Sequence, residues 1–198
     1  GRPVLALMLA NNEIGTIQPV AAAATMIHEH DGLVIVDAIQ AVGKIAVDFA
    51  ALGADYMAIS AHKFGGPQGI GALVASCNAP LSRHHHGGGQ EKGRRGGTLN
   101  VAGITADLDQ FASLADWRDA LEARLKAAAP EIKVLGEGAP RLPNTLSIAH
   151  PSWKGETQVM AMDLANISIS AGSACSSGRT RGSKSGLALG LDSDASEG

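Results

Sequence analysis

The stretch from Ala58 to Gly71, AISAHKFGGPQGIG, is the pivot of this chain. An apolar run of strand length ends in Ser60, His62 and Lys63, then breaks into Gly65, Gly66 and Pro67. A lysine at the carboxyl end of a buried strand is partly desolvated, which leaves its amine available for Schiff-base chemistry. A surface lysine in a turn has the same local pattern, so the choice between them depends on what the rest of the chain brings nearby.

Upstream, residues 4–10 (VLALMLA) and 33–36 (LVIV) are continuous apolar runs of strand length, as expected of strands buried on both faces. Between them, Pro19 is placed to open a helix over residues 20–30, and Asp31-Gly32 supplies its stop. Residues 47–52 read as one short helix before the third strand, Tyr56 to Ser60. This β-α-β-(α)-β alternation predicts an α/β fold with a mostly parallel sheet and helices on both faces.

Composition bounds the alternatives. With 198 residues and 45% hydrophobic content, the chain can bury a real core. A formal net charge of −3 gives no electrostatic reason to expect nucleic acid or an anionic membrane as partner. No apolar run reaches the roughly 18 residues of a membrane span. No leader-like start is visible, and the expected location is the cytoplasm. Two distant cysteines, Cys77 and Cys175, make no disulfide framework, and the absence of CxxC removes the usual zinc-ribbon reading. His84, His85 and His86 are adjacent, and on an extended chain neighbours point to opposite faces, so no metal is expected there.

All three strands end in polar residues: Asn12, then Asp37 with Gln40, then Ser60, His62 and Lys63. In open α/β sheets ligands bind beyond the carboxyl ends of the strands, so these groups are expected to converge. An amine, an acid, an imidazole, a hydroxyl and two amides suit pyridoxal phosphate. Its aldehyde needs a lysine, its ring nitrogen a carboxylate, and its phosphate hydroxyl and imidazole donors.

The strings NNEIGTIQP, VDAIQAVGK, SAHKFGGPQGIGAL, HHGGGQEKGRRGGTLN and SAGSACSSG resemble the cysteine desulfurases of the class V aminotransferase group, in order and over nearly the whole chain. The resemblance implies a pyridoxal-phosphate enzyme of fold type I that converts L-cysteine to L-alanine and passes the sulfur to an enzyme persulfide. It implies Lys63 as the cofactor-anchoring lysine and proton carrier, Asp37 as partner of the ring nitrogen, and Gln40 as donor to the ring hydroxyl. Asn12 matches the asparagine near that hydroxyl and the substrate carboxylate, and Ser60 and His62 match phosphate donors. Of the three histidines, only His86 matches a recurring family position. Thr98 matches a threonine that reaches the phosphate of the neighbouring subunit, which implies a homodimer. Cys175 matches the sulfur-accepting nucleophile, and an iron-sulfur scaffold or other sulfur acceptor is the implied partner.

Cys175 can also be judged from its surroundings. Residues 170–186 are rich in Ser and Gly, carry Arg179, Arg181 and Lys184, and contain no apolar run to bury a thiol. An exposed thiol among cations is the setting that favours the thiolate, although Gly/Ser-rich tracts also serve as plain linkers. Cys77, at the end of the strand-like IGALVAS, reads as an inert thiol.

The second half changes character. From about residue 102 to 129 the sequence reads as one or two helices, with Phe111, Leu114, Trp117, Leu121 and Leu125 at helical spacing as core positions, ended by Pro130. Residues 142–151 then read as a strand, 155–165 as an amphipathic helix, and 167–175 (ISISAGSAC) as a strand leading into the cysteine loop. This predicts a cofactor-binding domain over 1–112 and a small α+β domain over 113–198. Where relatives carry a stronger helix, residues 182–191 read GSKSGLALGL, with Ser185 and Gly186 weakening helix formation. The family's preceding region, with its ring-stacking histidine, and its later carboxylate-clamping arginine have no counterpart here, so the chain reads as truncated at both ends. The alternatives are an incompetent fragment of such an enzyme, or a relative acting on selenocysteine or another amino acid.

Overall fold

The computed structural model describes residues 1–98, 111, 113–172 and 183–191. It divides into two compact units, one of Gly1–Ala10 and Gln18–Gln110, the other of Asn11–Ile17 and Phe111–Gly198.

The first unit is built on a four-stranded sheet in the order β1 (Val4–Met8), β2 (Leu33–Asp37), β3 (Tyr56–Ser60), β4 (Gly71–Ala75). β1, β2 and β3 run parallel, in register from Met8 to Asp37 and from Asp37 to Ala58, and β4 returns antiparallel to β3. This is the mostly parallel sheet expected from the three apolar runs. Helix α1 (Val20–His28) packs on β1 and β2. Its Val20 and Ala24 are buried, as are Val34 and Val36 of β2, which have no exposed surface at all. The opposite sheet face carries Val4, Ile35 and Leu73, all exposed.

Local chemistry explains the ends of α1. Pro19 precedes the first helical residue, and its carbonyl accepts from Ala23 N at 3.1 Å. After His28 the chain turns out through Asp31 at φ 52°, and Gly32 N donates back to Ile27 O at 3.0 Å. A Cβ on Gly32 would lie 2.4 Å from Ile27 Cγ2, so only glycine lets the chain pass so close to the helix it has just left.

The helix expected over 47–52 is not there. Asp48 Oδ1 accepts from Ala50 N at 2.9 Å and Ala51 N at 3.0 Å, and Gly53 follows at φ 65°. An aspartate that bonds the backbone two and three residues on offers a turn in place of helix, and a left-handed glycine closes it after one loop.

The second unit holds helix α2 (Leu114–Ala128), a two-stranded antiparallel ribbon of β5 (Lys133–Val134) and β6 (Ile148–Ala149), helix α3 (Gly155–Leu164) and a short helix α4 (Lys184–Ala188). Its buried cluster is Ile14, Leu135, Ala149 and Leu191. The Asn11–Ile17 segment is tied in by Ile17 N to Pro140 O and Leu142 N to Gly15 O, both 2.8 Å. Helix α4 forms despite Ser185 and Gly186, because Ser183 Oγ caps it at Gly186 N (3.0 Å) and itself donates to Glu13 Oε2 at 2.6 Å.

Three expectations fail in this unit. Leu114, Trp117 and Leu121 are not core positions: they are 37%, 80% and 48% exposed, and no residue of α2 is fully buried. The face turned inward is charged. Arg118 donates to Leu142 O at 2.6 Å, and Glu122 accepts from Lys126 at 2.8 Å and from Arg141 at 2.6 Å. Residues 167–170 form no strand; they are exposed and make no ladder among the described residues. The strand expected over 142–151 shrinks to β6, because β5 offers it a partner over two residues only. Among the described residues no helix is long and apolar enough to cross a membrane.

The charged seam gives a pH prediction. Hydrogen bonds from Lys126 and then Arg141 hold Glu122 below its ordinary pKa of 4.5, against burial that raises it. A carboxyl whose folded value is depressed contributes stability that is present above the unfolded value and lost as pH falls through the folded one. Glu122→Gln is therefore expected to cost about 1–2 kcal/mol at pH 7, the range for charge-assisted bonds at a partly screened site. That cost should fade as pH falls below 4.5 and through the depressed folded value. Urea unfolding at stepped pH measures both, and a cost that persists unchanged at low pH would refute the assignment.

Candidate functional site

β2 and β3 lie side by side and parallel, so whatever follows their carboxyl ends in the first unit is brought together. After β2 the carboxylate of half-buried Asp37 accepts from Ile39 N at 2.9 Å, starting a turn in which Ala41 N and Val42 N both bond Ala38 O. Ala38 and Ala41 are fully buried on the inner side of that turn. Gln40 and Lys44, four residues apart, are joined by a hydrogen bond from Lys44 Nζ to Gln40 Oε1 at 3.0 Å.

After β3 the chain enters a single 3-10 turn, Ala61–Lys63. Ala61 N bonds Ile70 O at the base of the hairpin, and Phe64 N and Gly66 N both bond Ala61 O. A Cβ on Gly66 would lie 2.7 Å from Ala61 Cβ, so this glycine allows the loop to fold tightly back over the lysine turn. Lys63 is half-buried, and exposed His62 meets Ser60 Oγ through Nδ1 at 2.9 Å. Burial, and then the charge of Lys63, lower the pKa of Lys44, so the two amines share one corner of the unit.

The other expected site residues are placed differently. Asn12 is half-buried in Asn11–Ile17, a segment of the second unit. Thr98 is exposed, beyond a glycine-rich loop that Arg83 holds by donating to the carbonyls of His85, Gly87 and Gly88 at 3.3, 2.8 and 2.6 Å. Cys175, with Arg179 and Arg181, lies outside the described residues. Cys77 is an exposed free thiol, and His84, His85 and His86 are exposed. Lys44 was not singled out from the sequence, although its position four residues after Gln40 in an otherwise apolar string was the available signal.

The donor set fits pyridoxal phosphate: a half-buried amine for the aldehyde, a carboxylate anchored through one oxygen for the ring nitrogen, and a hydroxyl–imidazole pair for the phosphate. The amide Gln40 suits the ring oxygen.

This is the strand-end arrangement of a pyridoxal-phosphate transferase, and the chain belongs to the aminotransferase class-V family, which it matches over residues 2–192. Cysteine desulfurases are among its curated relatives. That of Cereibacter sphaeroides is 41% identical over 184 residues, which is 88% of this chain and 47% of the relative. Among solved structures, a NifS-like protein from Rickettsia africae superposes with a TM-score of 0.82 at 30% identity, over 98% of this chain and 54% of that one. The protein SspA, solved in complex with cysteine, gives 0.74 at 28% identity, over 98% of this chain and 56% of its own. The chain thus spans about half the length of the relatives it matches.

Proposed function

We propose that the protein is a cysteine desulfurase, converting L-cysteine to L-alanine and leaving the sulfur as a persulfide on Cys175. The observation that carries this reading is the half-buried Lys63 beyond β3, beside the strand that ends in Asp37. The cysteine complex of the neighbour SspA supports the substrate.

Pyridoxal phosphate supplies, when bound, an electron sink for the substrate's α-carbon. Lys63 Nζ would anchor it and would hold and move a proton at that carbon. The Asp37 carboxylate would hold the proton on the ring nitrogen, Gln40 and, on the resemblance, Asn12 would orient the ring oxygen, and Ser60 and His62 would hold the phosphate. The Cys175 thiolate attacks the substrate sulfur: an S–S bond forms, the C–S bond breaks with its electron pair left on carbon, and that carbon takes up a proton to leave as alanine. The persulfide sulfur then passes to an iron-sulfur scaffold or another acceptor protein. A cytoplasmic homodimer belongs to the same reading, supported by the exposure of Thr98, since a hydroxyl that serves a neighbouring subunit has to lie at the surface.

The test is product analysis. Purified protein given pyridoxal phosphate and L-cysteine is expected to yield alanine and protein-bound or thiol-released sulfur in equal amounts. Pyruvate and ammonia in place of alanine would overturn the reading.

A further inference from the structure

The lysine that closes VDAIQAVGK is only 8% exposed. Lysines are almost never buried so far unless paired. Here the ammonium donates to Gln40 Oε1 at 3.0 Å, and it shares its corner with the like charge of Lys63.

An ammonium has three donors and no acceptor, whereas a primary amide has one accepting end and one donating end. The end of Gln40 that faces Lys44 therefore has to be the carbonyl. The NH2 group is turned to the other side and can only donate there. Two amines in one poorly solvated corner also repel, and a ligand that brings negative charge relieves the repulsion.

We infer that Lys44 is a positioning residue which locks Gln40 as a hydrogen-bond donor, so that the site selects a ligand ring bearing an anionic oxygen. The inference rests on the proposed placing of Gln40 against the ring oxygen of pyridoxal phosphate. A glutamine without this lysine presents either end of its amide, and half of its orientations set a carbonyl against an oxygen anion.

The experiment titrates purified protein with pyridoxal phosphate and with the analogue that lacks the ring oxygen, reading affinity from the cofactor absorbance. Lys44→Met is expected to weaken pyridoxal phosphate about tenfold, the scale of one hydrogen bond to a charged group, and to leave the analogue unchanged. Gln40→Ala should show the same selectivity, and the double variant should lose little more than either single one. The melting temperature of the cofactor-free protein should hold or rise in Lys44→Met, because an apolar side chain in place of a buried cation is often stabilising. Lys44→Gln is the second variant; it keeps polarity without dictating the amide's direction, and an intermediate loss is expected. Additive losses, or equal weakening of both ligands by Lys44→Met, would overturn the role of Lys44 while Gln40→Ala still discriminates. If Gln40→Ala fails to discriminate, the placing of Gln40 falls as well.

Discussion

Replacing Lys63 with alanine is expected to abolish the absorbance band that pyridoxal phosphate develops on the purified protein, and with it the turnover of L-cysteine. Lys63 places a half-buried primary amine beyond β3, and the proposed bond to the cofactor aldehyde, which would form with loss of water, needs a primary amine at that place. Lys63→Arg keeps the charge but offers no such amine, so it should behave like the alanine variant and separate covalent anchoring from electrostatics. Loss of a residue that is both nucleophile and proton carrier costs about 10⁴-fold or more in turnover. Spectrophotometric titration and alanine assay check both parts. An unchanged band in Lys63→Ala, with another lysine trapped by borohydride reduction, would move the anchor elsewhere; Lys44 is the neighbour to examine.

The second large effect belongs to Cys175. Cys175→Ala should keep the cofactor band, because the thiol takes no part in anchoring, yet release of sulfur from L-cysteine should fall by about 10⁴-fold. The persulfide seen by mass spectrometry on the parent protein should be missing. Retained sulfur release in this variant would sink the persulfide route and leave the aminotransferase-like half of the chemistry standing. The pair of variants thus separates cofactor capture from sulfur transfer, two steps assigned to different stretches of the chain.

In the first unit β1 to β3 were legible because parallel strands read as apolar runs, although the burial expected on both faces is found on one only: Val34 and Val36 are buried, whereas Val4, Ile35 and Leu73 are exposed on the other. Apolar runs without alternation are what such strands look like, and Pro19 and Gly32 punctuate α1 at the positions where the backbone needs them. Asp37 and Lys63 could be placed at neighbouring strand ends by topology alone. The second unit was read less well, for identifiable reasons. Helical spacing located α2, but an apolar stripe and a charged stripe share one period, and spacing does not say which of them turns inward. Arg118 and Glu122 do, because the carbonyls of Arg141 and Leu142 and the guanidinium of Arg141 await them across the seam. The turn after Val47 was misread because Ala50, Ala51 and Leu52 favour helix while Asp48 bonds their backbone first. Lys44 escaped because its spacing from Gln40 signals a pairing but says nothing of burial.

The hairpin of β3 and β4 also bears on the order of folding. Its pairs run from Ser60 with Gly71 outward to Tyr56 with Ala75, whereas β2 meets β3 through the more distant pairs Ile35 with Tyr56 and Asp37 with Ala58. Shorter loops close at lower entropic cost, and local pairings form faster than distant ones. On that ground the lysine turn takes shape within its own hairpin, ahead of the parallel pairing that sets Asp37 beside it. Cofactor capture then comes after sheet assembly, and the appearance of colour during refolding becomes a clock for the last strand to dock.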